Sequence, residues 1–306
     1  MRTSFINYSK ILLYFSLVLF PTSINAQWTQ KSGGLEGCPV EALHSDGDAT
    51  FAGTSVGVYS STLTGDSWSF MNGPSSPSSQ YLNINCIGGT ADNLFAGTPY
   101  GVLRSQNGGQ LWTALRTGLQ RSVQCMLFFN NKIYAGSNSG GVYRSENNGE
   151  SWTAMNNGLS SSFGVYAIER IGSIIYIATS EGVYNSTDEG ASWQEIQPES
   201  NLRLITTIAV KEDMLFAGSS FSELYISTHN GTTWLPWAQT NTGLAVNPDI
   251  HALAVHGGEV YAGTNQGLYR YNTVGNDWSL LENGELNGLP IYSLHSSGTN
   301  LLAGTS

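Results

Sequence analysis

The sequence predicts an all-β fold: a closed ring of repeated four-stranded sheets. Three observations lead there. Seven of the eight tryptophans, Trp28, Trp68, Trp112, Trp152, Trp193, Trp234 and Trp278, fall 40, 44, 40, 41, 41 and 44 residues apart. A period of about 40 to 45 residues suits a unit of four short strands that cannot bury its own faces and stacks on copies of itself. Composition agrees: glycine is abundant, charged residues make up only 11%, and Tyr, Phe, Trp, Val and Ile recur in short runs without helical heptads.

In chain order, Arg2 and Lys10 come first, then the apolar run Ile11 to Phe20, then a polar stretch closing at Ile24-Asn25-Ala26. This pattern predicts a signal peptide over 1–26, cut after Ala26, and hence export to the cell surface or medium. Ten apolar residues fall short of the ~20 that span a bilayer, so no transmembrane segment is expected here. Losing Arg2 and Lys10 moves the formal charge from -10 to -12. So acidic a chain, without basic runs or a glycine-rich phosphate loop, excludes nucleic acid and nucleotides as partners. Residues 27–306 are read as one cooperative domain, a monomer, truncated at its C-terminus.

Within each unit the second strand reads FAGTS (51–55), LFAGTP (94–99), IYAGSN (133–138), IYIATS (175–180), LFAGSS (215–220), VYAGTN (260–265) and LLAGTS (301–306). The third follows as GVYSS, GVLRS, GVYRS, GVYNS, ELYIS and GLYRY. The small Ala-Gly pair predicts close approach of neighbouring sheets near a crowded axis. Seven tryptophans predict a seven-bladed β-propeller of four-stranded blades. Trp28-Thr29 supplies an outer strand without inner ones, while Ile291 to His295 and Leu301 to Ser306 supply first and second strands without a third. The last blade is therefore expected to be incomplete and shared between the N- and C-termini, which removes exposed sheet edges.

The turn before each tryptophan reads STLTGDSW (61–68), SQNGGQLW (105–112), SENNGESW (145–152), STDEGASW (186–193), STHNGTTW (227–234) and YNTVGNDW (271–278). These segments resemble the Asp box, or BNR repeat, S-x-D-x-G-x-x-W, of sialidase-, xyloglucanase-, sortilin- and photosystem-assembly-factor-like propellers. Asp188 matches the aspartate, Asn107 and Asn147 can serve as acceptors, and Leu63, His229 and Thr273 depart from the pattern. The resemblance implies a hairpin stapled by Ser and Asx oxygens, with glycine at φ > 0 and the indole packed between sheets. Burying ~150–250 Å² of indole gives an upper limit of about 4–6 kcal/mol per repeat. It also implies that the turns lie opposite the functional face, so Asp188 is read as structural. The GLP…LLAGT phrase near 288–304 is similar to the regulator propellers of membrane kinases, which lack the tryptophan turn.

Loops joining second to third strands, and fourth strands to the next blade, are where a propeller usually carries function. They supply the binding-face candidates Tyr100, Arg116, Arg121, Arg203, Phe221, Trp237 and Gln266, with Tyr166, His251 and Tyr292 expected at the mouth of the central channel. Aromatic faces beside amides and hydroxyls suit a sugar or a peptide. The expected function is a secreted, non-catalytic module that binds or scaffolds an extracellular protein or glycan. The alternative is a glycoside hydrolase, sialidase- or xyloglucanase-like, which needs two carboxylates about 5 to 9.5 Å apart. Its candidates are Glu181 and Asp249, among scattered acids that include Glu41, Glu199 and Glu282. The sialidase Arg-Ile-Pro signature is missing, and Arg170-Ile171-Gly172 is the nearest string.

Cys86 and Cys125 share a small-residue slot with Ala42, Ala167, Thr207, Ala252 and Ser293, and are read as buried apolar groups, with Cys38 set apart from them. His44 and His295 share a second slot, so the histidines follow the repeat rather than cluster. Neither a metal site nor a cofactor is expected.

Overall fold

The fold is that of a computed structural model, which describes residues 12–16, 28–35, 39–62, 65–71, 83–119, 122–160, 163–197, 202–281, 286 and 288–306. Arg121, Glu199, Glu282, Leu63 and Cys38 lie outside them.

Six blades are each built from four consecutive antiparallel strands. Blade one comprises Val40–Ser45, Ala49–Thr54, Gly57–Thr62 and Ser69–Phe70. Blade two comprises Cys86–Thr90, Asn93–Thr98, Gly101–Ser105 and Thr113–Leu115. Blades three to six repeat this order, beginning at Val123, Val165, Ile205 and Ile250. First strands line the axis and each touches the next around a closed circle. The circle is completed by a composite sheet that joins Ile291–Ser297 and Asn300–Thr305 to Leu12–Ser16 and Thr29–Gln30.

The expected seven-bladed propeller with an incomplete last blade is thereby corrected: the blades of consecutive strands number six, and the closing sheet holds four strands. Its third place is filled by Leu12–Ser16, from the apolar run expected to be a signal peptide. Five residues of that segment pair with Asn300–Gly304 and two with Thr29–Gln30. The physical reason is the ladder: the open edge of Asn300–Thr305 presents backbone donors and acceptors that any extended neighbour can satisfy.

The Ala-Gly pair is explained by what lies across the seam. A Cβ on Gly97 would stand 2.8 Å from Val123 Cγ1, on Gly136 2.7 Å from Val165 Cγ1, on Gly218 2.7 Å from Ile250 Cγ2, and on Gly263 2.7 Å from Ile291 Cγ2. Each second-strand glycine thus receives the β-branched side chain that opens the next blade. At the closure the partner is backbone: a Cβ on Gly304 would come within 2.5 Å of the Val40 carbonyl oxygen. Bulges after Val40, Val123, Val165, Ile205, Ile250 and Ile291 turn each first strand just where the small-residue slot begins.

The tryptophans make a second seam nearer the rim. Trp28, Trp68, Trp112, Trp152, Trp193 and Trp278 are buried, and the indole N–H of Trp193 donates to the Met155 carbonyl of the preceding blade at 2.8 Å. The Trp152 amide likewise donates to Thr117 O at 2.9 Å, that of Trp193 to Asn157 O at 2.9 Å, and that of Trp278 to Thr242 O at 2.8 Å. These carbonyls sit in turns ending Thr-Gly-Leu or Asn-Gly-Leu. Their glycine has φ of 81°, 90° and 90° at Gly118, Gly158 and Gly243, where a side chain would strike the next tryptophan's carbonyl.

The turns ahead of the tryptophans show why Asn can stand for Asp. Ser145 Oγ donates to Asn147 Oδ1 at 3.0 Å and accepts the Gly149 amide at 2.8 Å, while Asn147 Oδ1 accepts the Ser151 amide at 2.9 Å. Asp188 repeats this with Ser186, Gly190 and Ser192, and its second oxygen accepts the Ser192 hydroxyl. In blade five, where His229 replaces the acid, Asn230 Oδ1 accepts the Thr232 and Thr233 amides instead at 3.0 and 2.9 Å. Trp234 is only half-buried there, edge-on to His229 and Tyr176.

Two predictions follow from these seams. Gly136→Ala should cost about 1–3 kcal/mol through overpacking, and Gly304→Ala more, because a carbonyl cannot rotate away as a side chain can; denaturant midpoints measure both. Hydrogen bonds from Ser192 and Ser186 hold the Asp188 carboxyl down at about 2. A carboxylate whose folded pKa is depressed contributes stability above its unfolded value, lost as pH falls through the folded one. Thermal melts should therefore show Asp188→Asn within about 0.5 kcal/mol of the parent at neutral pH. They should also show the parent losing ground to the variant as pH falls from 3.8 towards 2.

Candidate functional site

The Thr or Ser closing each Ala-Gly-Thr phrase builds the hairpin tips of the upper face. Thr98 Oγ1 donates to Gly101 O at 3.0 Å and accepts the Tyr100 amide at 3.1 Å. Thr179 does the same for Gly182 and Glu181, and Thr264 for Gly267 and Gln266, while Ser219 Oγ accepts the Phe221 amide. The staple sets one residue of each tip outward: Tyr100 is 50% exposed and Phe221 59%. A glycine follows at φ of 124°, 141° and 122° in Gly101, Gly182 and Gly267, conformations that a side chain would strain.

Tyr100 and Arg116 meet at the seam of blades two and three. With Pro99, Leu119, Ser122 and Asn138 they line a cleft of about 610 Å³. Pro99 and Tyr100 come from the hairpin tip, Arg116 and Leu119 from the loop leaving the fourth strand, and Ser122 from the entry to blade three. The Asn138 amide donates to Ser122 O at 3.4 Å, tying the far wall together. The cleft offers an aromatic face, a guanidinium, an amide and a hydroxyl within one concavity, a set that can stack on a ring and hold a polar or anionic group.

Tyr166, His251 and Tyr292 come together at the upper end of the central channel. They share a cavity of about 430 Å³ with Glu41 and Gln124. The His251 and Tyr292 rings lie 5.1 Å apart, and burial lowers the His251 pKa against the raising effect of Asp249. Other candidates go elsewhere. Arg203 is exposed where the chain enters blade five, whereas Trp237 is half-buried and donates its indole N–H to Ile196 O at 3.4 Å, so it packs into the seam of blades four and five. Gln266 donates to Val246 O at 3.2 Å.

The two carboxylates weighed for catalysis belong to different blades. Glu181 sits on a hairpin tip of blade four and Asp249 on the loop entering blade six. Asp249 is engaged with Asn265, whose side-chain amide donates to Oδ2 at 3.2 Å and whose Oδ1 accepts the Asp249 amide at 3.1 Å. Among the described residues no group of three or more His, Cys, Asp or Glu is arranged to hold a metal ion. Among the described residues no helix is long and apolar enough to cross a membrane.

Sequence reasoning missed Glu169. It occupies the repeat position of His44 and His295, and it lines with His295 a cavity of about 260 Å³ low in the channel. Encircling protein pushes its carboxyl up to about 7, although the side chain still meets channel solvent. His44 and His295 lie 5.5 Å apart, and the Ser45 amide donates to His295 Nε2 at 3.1 Å. Burial first, and the His44 charge second, hold His295 down at about 4, so it stands neutral opposite the acid. Also missed was a lower-face cleft of about 750 Å³ at the same blade seam, walled by Phe95, Phe128 and Phe129 with Lys132, Asn130 and Asn148 at its rim. The signal was the Gly88-Gly89 pair, since a Cβ on Gly88 would stand 2.5 Å from Phe128 Cε2.

The sequence model of the DUF6242 beta propeller domain matches residues 93–206. No curated protein matches the chain. Among solved structures, the extracellular domain assigned to a hybrid two component system, BT4673 from B. thetaiotaomicron, is similar at TM-score 0.72 and 20% identity, over 89% of this chain and 37% of that one. The chain thus spans little more than a third of that relative's length. YCF48 from Cyanidioschyzon merolae aligns at TM-score 0.68 and 16% identity, over 88% of this chain and 93% of that one. An ancestral GH74 enzyme aligns at TM-score 0.63 and 21% identity, over 81% and 38%. At these identities the likeness is one of fold, and the class it defines is the β-propeller.

A prediction attaches to Glu169. Its folded pKa is raised above the ordinary value of 4.5 to about 7, so the folded state binds the extra proton and loses relative stability as pH climbs between those values. Glu169→Gln should match the parent near pH 4.5 and exceed it in thermal stability above pH 7.

Proposed function

We propose that this propeller is an exported, non-catalytic binding module whose ligand, an extracellular glycan or protein segment, seats on the upper face at the Tyr100–Arg116 cleft. The observation that carries the reading is that cleft, where two residues singled out separately converge on one concavity of about 610 Å³. Export rests on the pattern of residues 1–26. Two relatives of the same architecture support the class of role: one is an extracellular domain, and another is YCF48 bound to D1 peptide, at TM-score 0.65 and 15% identity. On this reading the Ser-x-Asx-x-Gly turns are Asp-box turns serving as staples on the opposite face, and the chain acts as a monomer without metal or cofactor.

The separation of Glu181 from Asp249, and the engagement of Asp249 with Asn265, favour binding over hydrolysis. Glycan-array and pull-down screens on the exported protein should yield a ligand whose affinity falls about 3- to 10-fold in Tyr100→Ala, in keeping with ~0.5–1.5 kcal/mol for an aromatic contact. Arg116→Ala should weaken it at least as much. Turnover of that ligand, abolished by Glu181→Gln or Asp249→Asn, would establish the glycoside hydrolase instead.

A further inference from the structure

Blade five carries one tryptophan more than the ring requires, and the strand register identifies which. In the other five blades the residue two places after the tryptophan pairs with Tyr59, Leu103, Tyr143, Tyr184 or Tyr269 of the third strand. In blade five Tyr225 pairs with Gln239, two places after Trp237 and not after Trp234. The indole bonds agree. Trp68 donates to Lys31 O at 2.9 Å and Trp193 to Met155 O at 2.8 Å, in each case the carbonyl three residues beyond the previous sheet's tryptophan. Trp237 makes the equivalent bond to Ile196 O at 3.4 Å, and WAQTNTGL (237–244) runs on as WTALRTGL (112–119) and WTAMNNGL (152–159) do. Trp237 therefore holds the seam, and Trp234 sits on a turn three residues longer, outside the repeat.

The surroundings of Trp234 are open. A Cβ on the turn glycine would stand 2.8 Å from Leu115 at Gly149 and 3.2 Å from Tyr134 at Gly190, both in the preceding blade, whereas one on Gly231 would meet nothing within 4 Å. Loss of the Asx does not by itself expose a tryptophan, since the turns of blades one and six also lack it while Trp68 and Trp278 are 4% and 2% exposed. Half-buried Trp234 lines a cavity of about 500 Å³ at the lower rim of blades four and five, with the Tyr176 ring edge-on at 6.0 Å. Around them stand the amides of Asn185 and Gln194, the hydroxyls of Thr187 and Thr232, and the carboxylates of Glu212 and Asp213. Among the described residues no lysine or arginine lines it.

We infer that this cavity is a binding site for neutral sugars, with Trp234 as its stacking platform. An indole offers an apolar face to the C–H groups of a sugar ring, while amides and hydroxyls both donate and accept, as sugar hydroxyls do. A cationic ligand only donates, and would leave the amide N–H groups without a use. An anionic one would face Glu212 and Asp213 with no opposing charge in the cavity. The volume lies within the range of small-ligand sites. What carries the inference is the division of labour in one blade: Trp237 closes the seam, and a second indole stands beside a polar concavity that the ring does not need. It depends on neither export nor the upper-face cleft.

The test adds neutral oligosaccharides of glucose, galactose, mannose and N-acetylglucosamine, one at a time, to the full chain. Shielding of tryptophan fluorescence from acrylamide and saturation-transfer NMR read the binding. At least one sugar should bind saturably, with affinity about tenfold lower in Trp234→Ala, about 3-fold lower in Gln194→Ala, and unchanged in Tyr100→Ala. Denaturant midpoints give the second reading, in which Trp237→Ala should fall clearly further than Trp234→Ala. Saturable binding of none of these sugars, equal affinity in the parent, Trp234→Ala and Gln194→Ala, or a Trp234→Ala midpoint as low as that of Trp237→Ala would overturn the proposal. Salt-sensitive, Trp234-dependent binding of trilysine in their place would overturn it too, in favour of a cation site. Sugar binding lost in Tyr100→Ala but kept in Trp234→Ala would assign it to the upper-face cleft, so the two conclusions fail separately.

Discussion

One steric relation organises the ring: in every blade but the fourth the second strand carries a glycine, because the first β-branched residue of the next blade, with the small-slot residue of the blade's own first strand, crowds the space a side chain would need. Gly97 with Val123, Gly136 with Val165, Gly218 with Ile250 and Gly263 with Ile291 repeat the same contact, each with under 3 Å to spare for an added Cβ. A methyl group on every such glycine would push the sheets apart near the axis, where the angle between neighbours is set. Blade four shows the limit of tolerance, since Ala178 occupies the slot opposite Ile205. The relation is reciprocal. A valine or isoleucine is stiff about χ1, so the inserted group arrives in one orientation and the glycine meets a fixed shape.

The rim is held by a different chemistry. There the backbone amides of Trp68, Trp152, Trp193 and Trp278 bond carbonyls in the preceding sheet's Gly-Leu turn, and the indoles cover the seams between them. Because inner steric fit and outer hydrogen bonding occur in the same residue order in each repeat, local and long-range preferences agree from blade to blade. Where one weakens, another substitutes: blade five has lost the Asx of its turn, Asn230 takes over as acceptor, and Trp237 bonds Ile196 across the seam.

Most of this was legible in the sequence because repetition multiplies a weak signal. One Ala-Gly pair means little, whereas six in phase with seven tryptophans require a common cause. The assignment of Tyr166, His251 and Tyr292 to one channel mouth, and of Tyr100 and Arg116 to one face, follows from their positions in the repeat. Three things were not legible. Trp237 packs inward between blades four and five, and its place outside the repeat as aligned on the turns left nothing there to show that direction. Glu169 escaped notice because its importance comes from encirclement, which no linear reading displays, although aligning it with His44 and His295 would have pointed to it. The count of blades went wrong where the repeat itself breaks, at a sheet made from segments almost 300 residues apart.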